Sequence, residues 1–210
     1  MSNYPEAQPG LDDIEVGGIT RSSFILRGAL TAGAVYGSTM VAPFVSSALA
    51  QTASTDADIL NFALTLEYLE AAFYAKALQL GLTGTAKQYA KAFGAQEAAH
   101  VAAIQGTVKQ VGGTPVAKPV FAFPIHDQKS FLALASTLEN TGVGAYNGAA
   151  PMISSPAVLA AAGSIVQIEA RHAAAINLLI GTSPTPNLGF DRALTKAQVL
   201  AAAGPLIKSS

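Results

Sequence analysis

Two segments of this chain share one register: Glu97-Ala98-Ala99-His100-Val101-Ala102-Ala103-Ile104 and, 72 residues on, Glu169-Ala170-Arg171-His172-Ala173-Ala174-Ala175-Ile176. Each opens with Glu-x-x-His. Another glutamate stands 30 residues before each motif glutamate, Glu67 before Glu97 and Glu139 before Glu169, and a tyrosine follows each of these seven residues on, Tyr74 and Tyr146. On an α-helix, positions three apart share a face about 5 Å apart, so each Glu-x-x-His offers an oxygen and a nitrogen to one point. One motif is half a ligand set, so the duplication constrains the chain to bring its two halves face to face.

Composition narrows what that meeting point can do. The chain has 210 residues, of which 50% are hydrophobic, enough for one domain with a full core and extensions. Charged residues make up 12% and the formal net charge is −1, so there is no electrostatic footprint for nucleic acid or for an anionic membrane surface. With no cysteine there is no disulfide framework and no thiolate metal site. Any metal must be held by oxygen and nitrogen.

Residues 1–18 are polar and aperiodic and read as a disordered leader. From Gly28 to Thr55 there is no charge at all, and the run reaches Ala48-Leu49-Ala50 before Gln51. Basic Arg21 and Arg27, a small-residue apolar run and an A-x-A site describe a cleavable export signal, with Gln51 as the mature start. Left uncleaved, the run is long enough to span a bilayer, and only then would the protein be membrane-bound. In either case the domain sits in the periplasm or outside the cell. Residues 1–50 are thus leader and signal, 51–182 the folded domain, and 183–210 a C-terminal loop with a short helix.

Thr55, with Asp56 and Asp58 behind it, is an N-cap signature, and helical spacing runs from 59 to about 80, where Gly81 and Gly84 end it. A second helix, from about 85 to 111, carries the first Glu-x-x-His and stops at Gly112-Gly113. Pro115, Pro119 and Pro124 forbid a helix over 114–126, which suits an extended crossover. A third helix starts near Asp127 or Ser130, holds Glu139, and is weakened by Gly142 and Gly144 before ending near Asn147-Gly148. Ser155 as N-cap and Pro156 at the first helical position start a fourth helix, which carries the second motif and stops at Gly181. A short helix lies within 194–206, with Thr195 as its cap. No run of alternating β-branched residues is long enough for a sheet. The fold class is all α: four main helices in two hairpins joined by a long crossover, with a short C-terminal helix.

Two-metal carboxylate sites in helical bundles take one glutamate from each of two helices and one Glu-x-x-His from each of the other two. Glu67, Glu97, His100, Glu139, Glu169 and His172 supply that set once over. Beyond Gln51 there are only five glutamates, and four of them are motif positions, so these four do not serve solubility. The fifth, Glu70, follows Glu67 by three, but its counterpart in the second half is Gly142; it reads as a residue around the ligands or at the rim. Tyr74 and Tyr146 stand about 10 Å along the helix axis from their glutamates and read as hydrogen-bond partners or core. Arg171 either offsets the carboxylates or lies on the surface, and His126 has no partner at motif spacing. A copied hairpin would also keep its Glu and His as plain structural hydrogen bonds, and that reading stays open. Mixed oxygen and imidazole ligands suit iron or manganese rather than a closed zinc site, and six residues for two ions leave room for dioxygen, peroxide or water.

These residues resemble the ferritin-like di-iron carboxylate proteins over about 55–181. The stretch Leu60-Asn61-Phe62-Ala63-Leu64-Thr65-Leu66-Glu67-Tyr68-Leu69-Glu70, with the leader and the export signal, is similar to bacterial exported ferritin-like domain proteins related to plant desiccation-related proteins. Thr20-Arg21-Ser22-Ser23-Phe24-Ile25-Leu26 resembles a twin-arginine signal in which Ser22 replaces the second arginine. The resemblance implies a ferritin-like four-helix bundle and two iron ions, or manganese, held by the six residues named. In that family the glutamates on the first and third helices flank or bridge the metals. The glutamate-to-tyrosine spacing of the first helix is similar to that of bacterioferritin, where the tyrosine lies close to the metals. Nothing like the cysteine-bearing electron-transfer module of rubrerythrin is present, and the glycines of the third helix and the proline-rich crossover depart from cage-forming ferritins. The expected activity is oxidation of Fe(II) or reduction of dioxygen or peroxide. A non-catalytic stress or desiccation protein with a vestigial or stabilising metal site is the alternative, and low charge with high alanine content would also suit a homo-oligomer burying apolar faces.

Overall fold

The computed structural model describes residues 55–187 and 189–208; the expected leader and export signal over 1–50 lie outside the described residues. Helix α1, Asp56–Ala77, starts where Thr55 and Asp58 form a reciprocal capping box, so two backbone N–H groups at the helix end find acceptors. Helix α2 is Gly84–Gln110, and Gly112 takes a positive φ of 81° just past its end. Helix α3, Gln128–Ala149, is capped by Asp127 and Ser130, and α4, Pro156–Leu179, by Ser155 with proline in its first turn. A short α5, Lys196–Ala203, is capped by Thr195 and Gln198. The four long helices pack as two hairpins, α1 on α2 and α3 on α4, and α5 lies against α3. The expected all-α bundle with a short C-terminal helix is therefore what the chain forms. No helix among the described residues is long and apolar enough to cross a membrane.

The third helix ends at Ala149, within a residue of the expected Asn147-Gly148, and passes into a 3₁₀ turn over Ala150–Met152. A two-residue ladder also forms, β1 Val120–Phe121 antiparallel to β2 Ile207–Lys208, with Val120 opposite Lys208 and Phe121 opposite Ile207. The C-terminal segment thereby stitches down the proline-rich crossover, a pairing too short and too distant in sequence to leave a periodic signal.

The crossover is fixed at its other end by Asn61, whose side-chain amide donates to the Thr114 carbonyl (3.0 Å) and whose oxygen accepts from the Val116 N–H (2.8 Å). Asp56 ties the hairpins together by accepting from the N–H groups of Ser154 and Ser155 (2.7 and 2.8 Å) at the start of α4. The buried apolar residues fall into two clusters. One gathers Leu69, Phe73, Tyr74, Phe93, Phe131 and Ile176; the other gathers Ile59, Leu64, Ile104, Val108, Val158 and Ile165. Along α1, α2 and α4 the motif residues fall between the contributions to the two clusters. The bundle therefore carries a polar layer across its middle with hydrocarbon on both sides.

Candidate metal centre

Helix periodicity aims Glu67, Glu97, His100, Glu139, Glu169 and His172 inward, and all six are buried, the four motif glutamates at 0–1% exposure. They form two overlapping sets. One ligand atom from each of Glu67, Glu97, His100 and Glu169 lies within 4.8 Å of the others, and the same holds for Glu97, Glu139, Glu169 and His172. Glu97 and Glu169 belong to both sets, so the glutamates of the two Glu-x-x-His motifs, on α2 and α4, are the shared pair. Glu67 on α1 and Glu139 on α3 each serve one set.

The arrangement follows the duplication as a pseudo-two-fold. His100 Nδ1 stands 3.1 Å from each of Glu67, Glu97 and Glu169, and His172 Nδ1 stands 3.0 Å from Glu97 and 3.3 Å from Glu139. Each tyrosine crosses to the other hairpin. The Tyr74 hydroxyl donates to Glu139 and the Tyr146 hydroxyl to Glu67, so both are buried hydrogen-bond partners of candidate ligands. Glu70 is buried rather than at the rim, at 3% exposure. Arg171 is exposed, so it does not offset the carboxylates, and the His126 side chain is 80% exposed.

The chemistry of the donor set fits metal ions better than internal hydrogen bonding. Glu97 Oε1, Glu139 Oε2, both oxygens of Glu169 and His172 Nδ1 are buried with no hydrogen-bond partner, although His172 Nδ1 lies within ion-pair distance of two of these oxygens. The groups are close enough to attract but are not placed to hydrogen-bond one another, and their ligand atoms lie within 4.8 Å of one another. Buried polar atoms are rarely left so, and ions among them would satisfy them together.

Electrostatics shows what the cluster must do with protons when it holds no metal. Burial pushes Glu67 up to about 7, against the help it receives from His100. Burial, with the neighbouring carboxylates, pushes Glu70 and Glu169 well above the usual carboxylate range, and burial also raises Glu139. Glu97 is the exception: burial opposes its charge, but the hydrogen bond with His100 and the positive charge of the two imidazoles beside it hold it down at about 2. Burial likewise works against charging the histidines, yet the carboxylates around Nδ1 push His100 up to about 12 and His172 up to about 9. The metal-free cluster thus holds protons where a loaded one holds cations.

Two partners escaped the sequence reading. Gln96 Oε1 accepts from His172 Nε2 (2.6 Å), an arrangement that turns Nδ1 towards the carboxylates and would leave its lone pair there once the imidazole is neutral. Phe93 stacks on the His172 ring, centroids 3.9 Å apart. Their counterparts 72 residues on are Ile165 and Ile168, so neither takes part in the repeat that singled out the ligands.

Tyr74→Phe should weaken the position that includes Glu139 and His172, and Tyr146→Phe the position that includes Glu67 and His100, each by about 10–100-fold in metal affinity. Cobalt(II) titration followed by its visible absorption would resolve the two steps. A variant that weakened both equally would contradict the crossed pairing.

A family model described as a ferritin-like domain, Ferritin_2, matches residues 55–182. No curated protein matches the chain.

Proposed function

Because the chain belongs to the ferritin-like domain family, we propose that its buried glutamate and histidine cluster holds two iron ions, with manganese as the other fit, and that the protein oxidises Fe(II) or reduces dioxygen or peroxide. The observation that carries this reading is the convergence of five buried ligand atoms that have no hydrogen-bond partner. Glu97 and Glu169 would be shared by the two ions, Glu67 with His100 and Glu139 with His172 would complete the two ends, and Tyr74, Tyr146 and Gln96 would fix the angles of the ligands they touch.

Two irons held there would supply paired one-electron chemistry, enough together to account for two Fe(II) oxidised per dioxygen and two protons converted to hydrogen peroxide. The chain's own contribution is to gather carboxylates that could not stand together uncompensated, and to keep water out with the two apolar clusters. Export to the periplasm or beyond the cell, and kinship with the desiccation-related subgroup, belong to the same proposal. They are supported by the segment before Gln51 and by the stretch over 60–70.

The test is metal analysis of the purified protein, followed by anaerobic Fe(II) loading and exposure to oxygen. Two irons per chain and an oxygen-dependent ultraviolet absorption band are expected. Bound metal without oxygen-dependent change would favour the second reading, a non-catalytic stress or desiccation protein with a stabilising centre, for which the low charge and high alanine content speak. A folded sample that binds no metal would sink the first.

A further inference from the structure

The duplication is broken at one chemically telling place: Glu70 on α1 corresponds to Gly142 on α3. The two crossed tyrosine bonds show why that place matters. Tyr146 on α3 reaches Glu67 on α1, and Tyr74 on α1 reaches Glu139 on α3, so the helices run antiparallel here and positions 70 and 142 fall between these two rungs. They face each other near the pseudo-two-fold axis, level with the middle of the cluster. A Cβ on residue 142 would stand 3.4 Å from Glu70 Oε1 and 3.2 Å from Glu169 Oε2. The glycine therefore leaves space that carboxylates occupy, and two glutamates facing each other across this axis would compete for it.

We propose that Glu70 is a fifth carboxylate ligand of the metal pair, admitted to the axis of the centre by glycine at position 142. The inference rests on the two-metal reading above. Glu70 lies outside both four-residue sets, held over Gly142 beside the shared glutamate Glu169, and its side-chain torsions give it the freedom to close on the loaded pair. A buried acid without a cation is costly, and nothing in α1 packing calls for one: the flanking Leu69 and Phe73 are ordinary core. Charge gives the ligand its use. Four carboxylates balance two divalent ions, and a fifth favours a pair whose total charge exceeds four, which is the pair reached when iron or manganese is oxidised. Glu70 thus sets the centre's preference towards its oxidised form.

The experiment is Mn(II) titration of the full chain followed by electron paramagnetic resonance, with helix content checked by circular dichroism. The wild type should bind two Mn(II) with an exchange-coupled spectrum; if it binds none, the two-metal reading itself fails. Glu70→Gln keeps the shape and puts a neutral amide where the metal-free protein buries a proton-holding carboxyl, so it should fold. It is expected to lose about tenfold or more in Mn(II) affinity and to change the coupled spectrum. Wild-type affinity and an unchanged spectrum in Glu70→Gln, with two ions still bound by the wild type, would overturn the proposal alone, since a merely structural glutamate would alter melting and leave the spectrum as it was. The double swap Glu70→Gly/Gly142→Glu returns one carboxylate to the axis from the opposite helix and should recover affinity relative to Glu70→Gln. A folded swap that binds as weakly as Glu70→Gln would overturn the axial placement.

Discussion

Glu97→Gln is expected to remove both metal positions at once, whereas Glu67→Gln removes only one. Glu97 belongs to both ligand sets, and its two oxygens face different histidines, Oε2 towards His100 and Oε1 towards His172. The amide that replaces it is a neutral, weaker ligand at both. Loss of a residue that merely orients a ligand costs about 10–100-fold in affinity, and loss of a shared ligand should exceed that at each position. Glu67 serves one set, so the set of Glu97, Glu139, Glu169 and His172 survives its replacement and should still take one ion.

Glu97→Gln should also destabilise the metal-free protein by about 3 kcal/mol, because it strips the one firmly ionised carboxylate from two cationic imidazoles in a buried site. Metal counting by mass spectrometry of the native protein, at a temperature where circular dichroism shows intact helix, separates the two effects. Two ions retained by Glu97→Gln, or none by Glu67→Gln, would refute the shared role.

The second large effect is an inverted dependence of stability on pH. In the folded, metal-free protein Glu67 titrates at about 7 rather than 4.5, so between those values the folded state keeps a proton that the unfolded chain has lost, and stability falls as pH rises. His172, raised from 6.5 to about 9, contributes stability that is full below pH 6.5 and is lost as pH rises through 9; His100, raised to about 12, extends the trend upward. Glu70, Glu139 and Glu169, all raised, act in the same direction as Glu67. Within the cluster only Glu97, lowered to about 2, opposes them, and its contribution is lost on the acid side, as pH falls from 4.5 towards 2.

The metal-free protein should therefore be most stable near pH 5 and lose several kcal/mol by pH 9, each unit of displacement being about 1.4 kcal/mol per group. Metal reverses the slope. Both imidazoles are protonated at pH 7 and must be neutral to bind, so loading releases at least these two protons and tightens as pH rises. Calorimetric melting at pH 5, 7 and 9, with metal and with chelator, should show the two curves parting towards high pH. A chelated protein that grew more stable from pH 5 to pH 9 would contradict the proton-filled cluster. Calorimetry in buffers of different ionisation enthalpy would count the protons directly.

Much of this was written in the chain at the level of single residues. Thr55, Asp127, Ser155 and Thr195 announce their helices because a cap is a local transaction, complete within four residues. The six inward residues were legible because the duplication states them twice, and helical spacing of three puts each Glu-x-x-His on one face. The β1–β2 ladder was not legible, since it joins residues nearly ninety apart through two backbone pairs that no side-chain pattern records. Gln96 and Phe93 were missed for a related reason: they serve one histidine only, so the repeat that marked the ligands passed over them.

What the sequence by itself determined is the inventory: an all-α chain without thiolates, four glutamates and two histidines at a fixed repeat, and one glutamate out of symmetry. Only the tertiary structure decided the division of labour among them. Which glutamates are shared, which tyrosine holds which carboxylate, and why Gly142 stands opposite Glu70 depend on how the two hairpins meet. The reason is physical. A helix fixes the direction of a side chain from its own few neighbours, whereas the point at which four helices' side chains converge is set by the packing of the apolar layers above and below it, which no single segment contains.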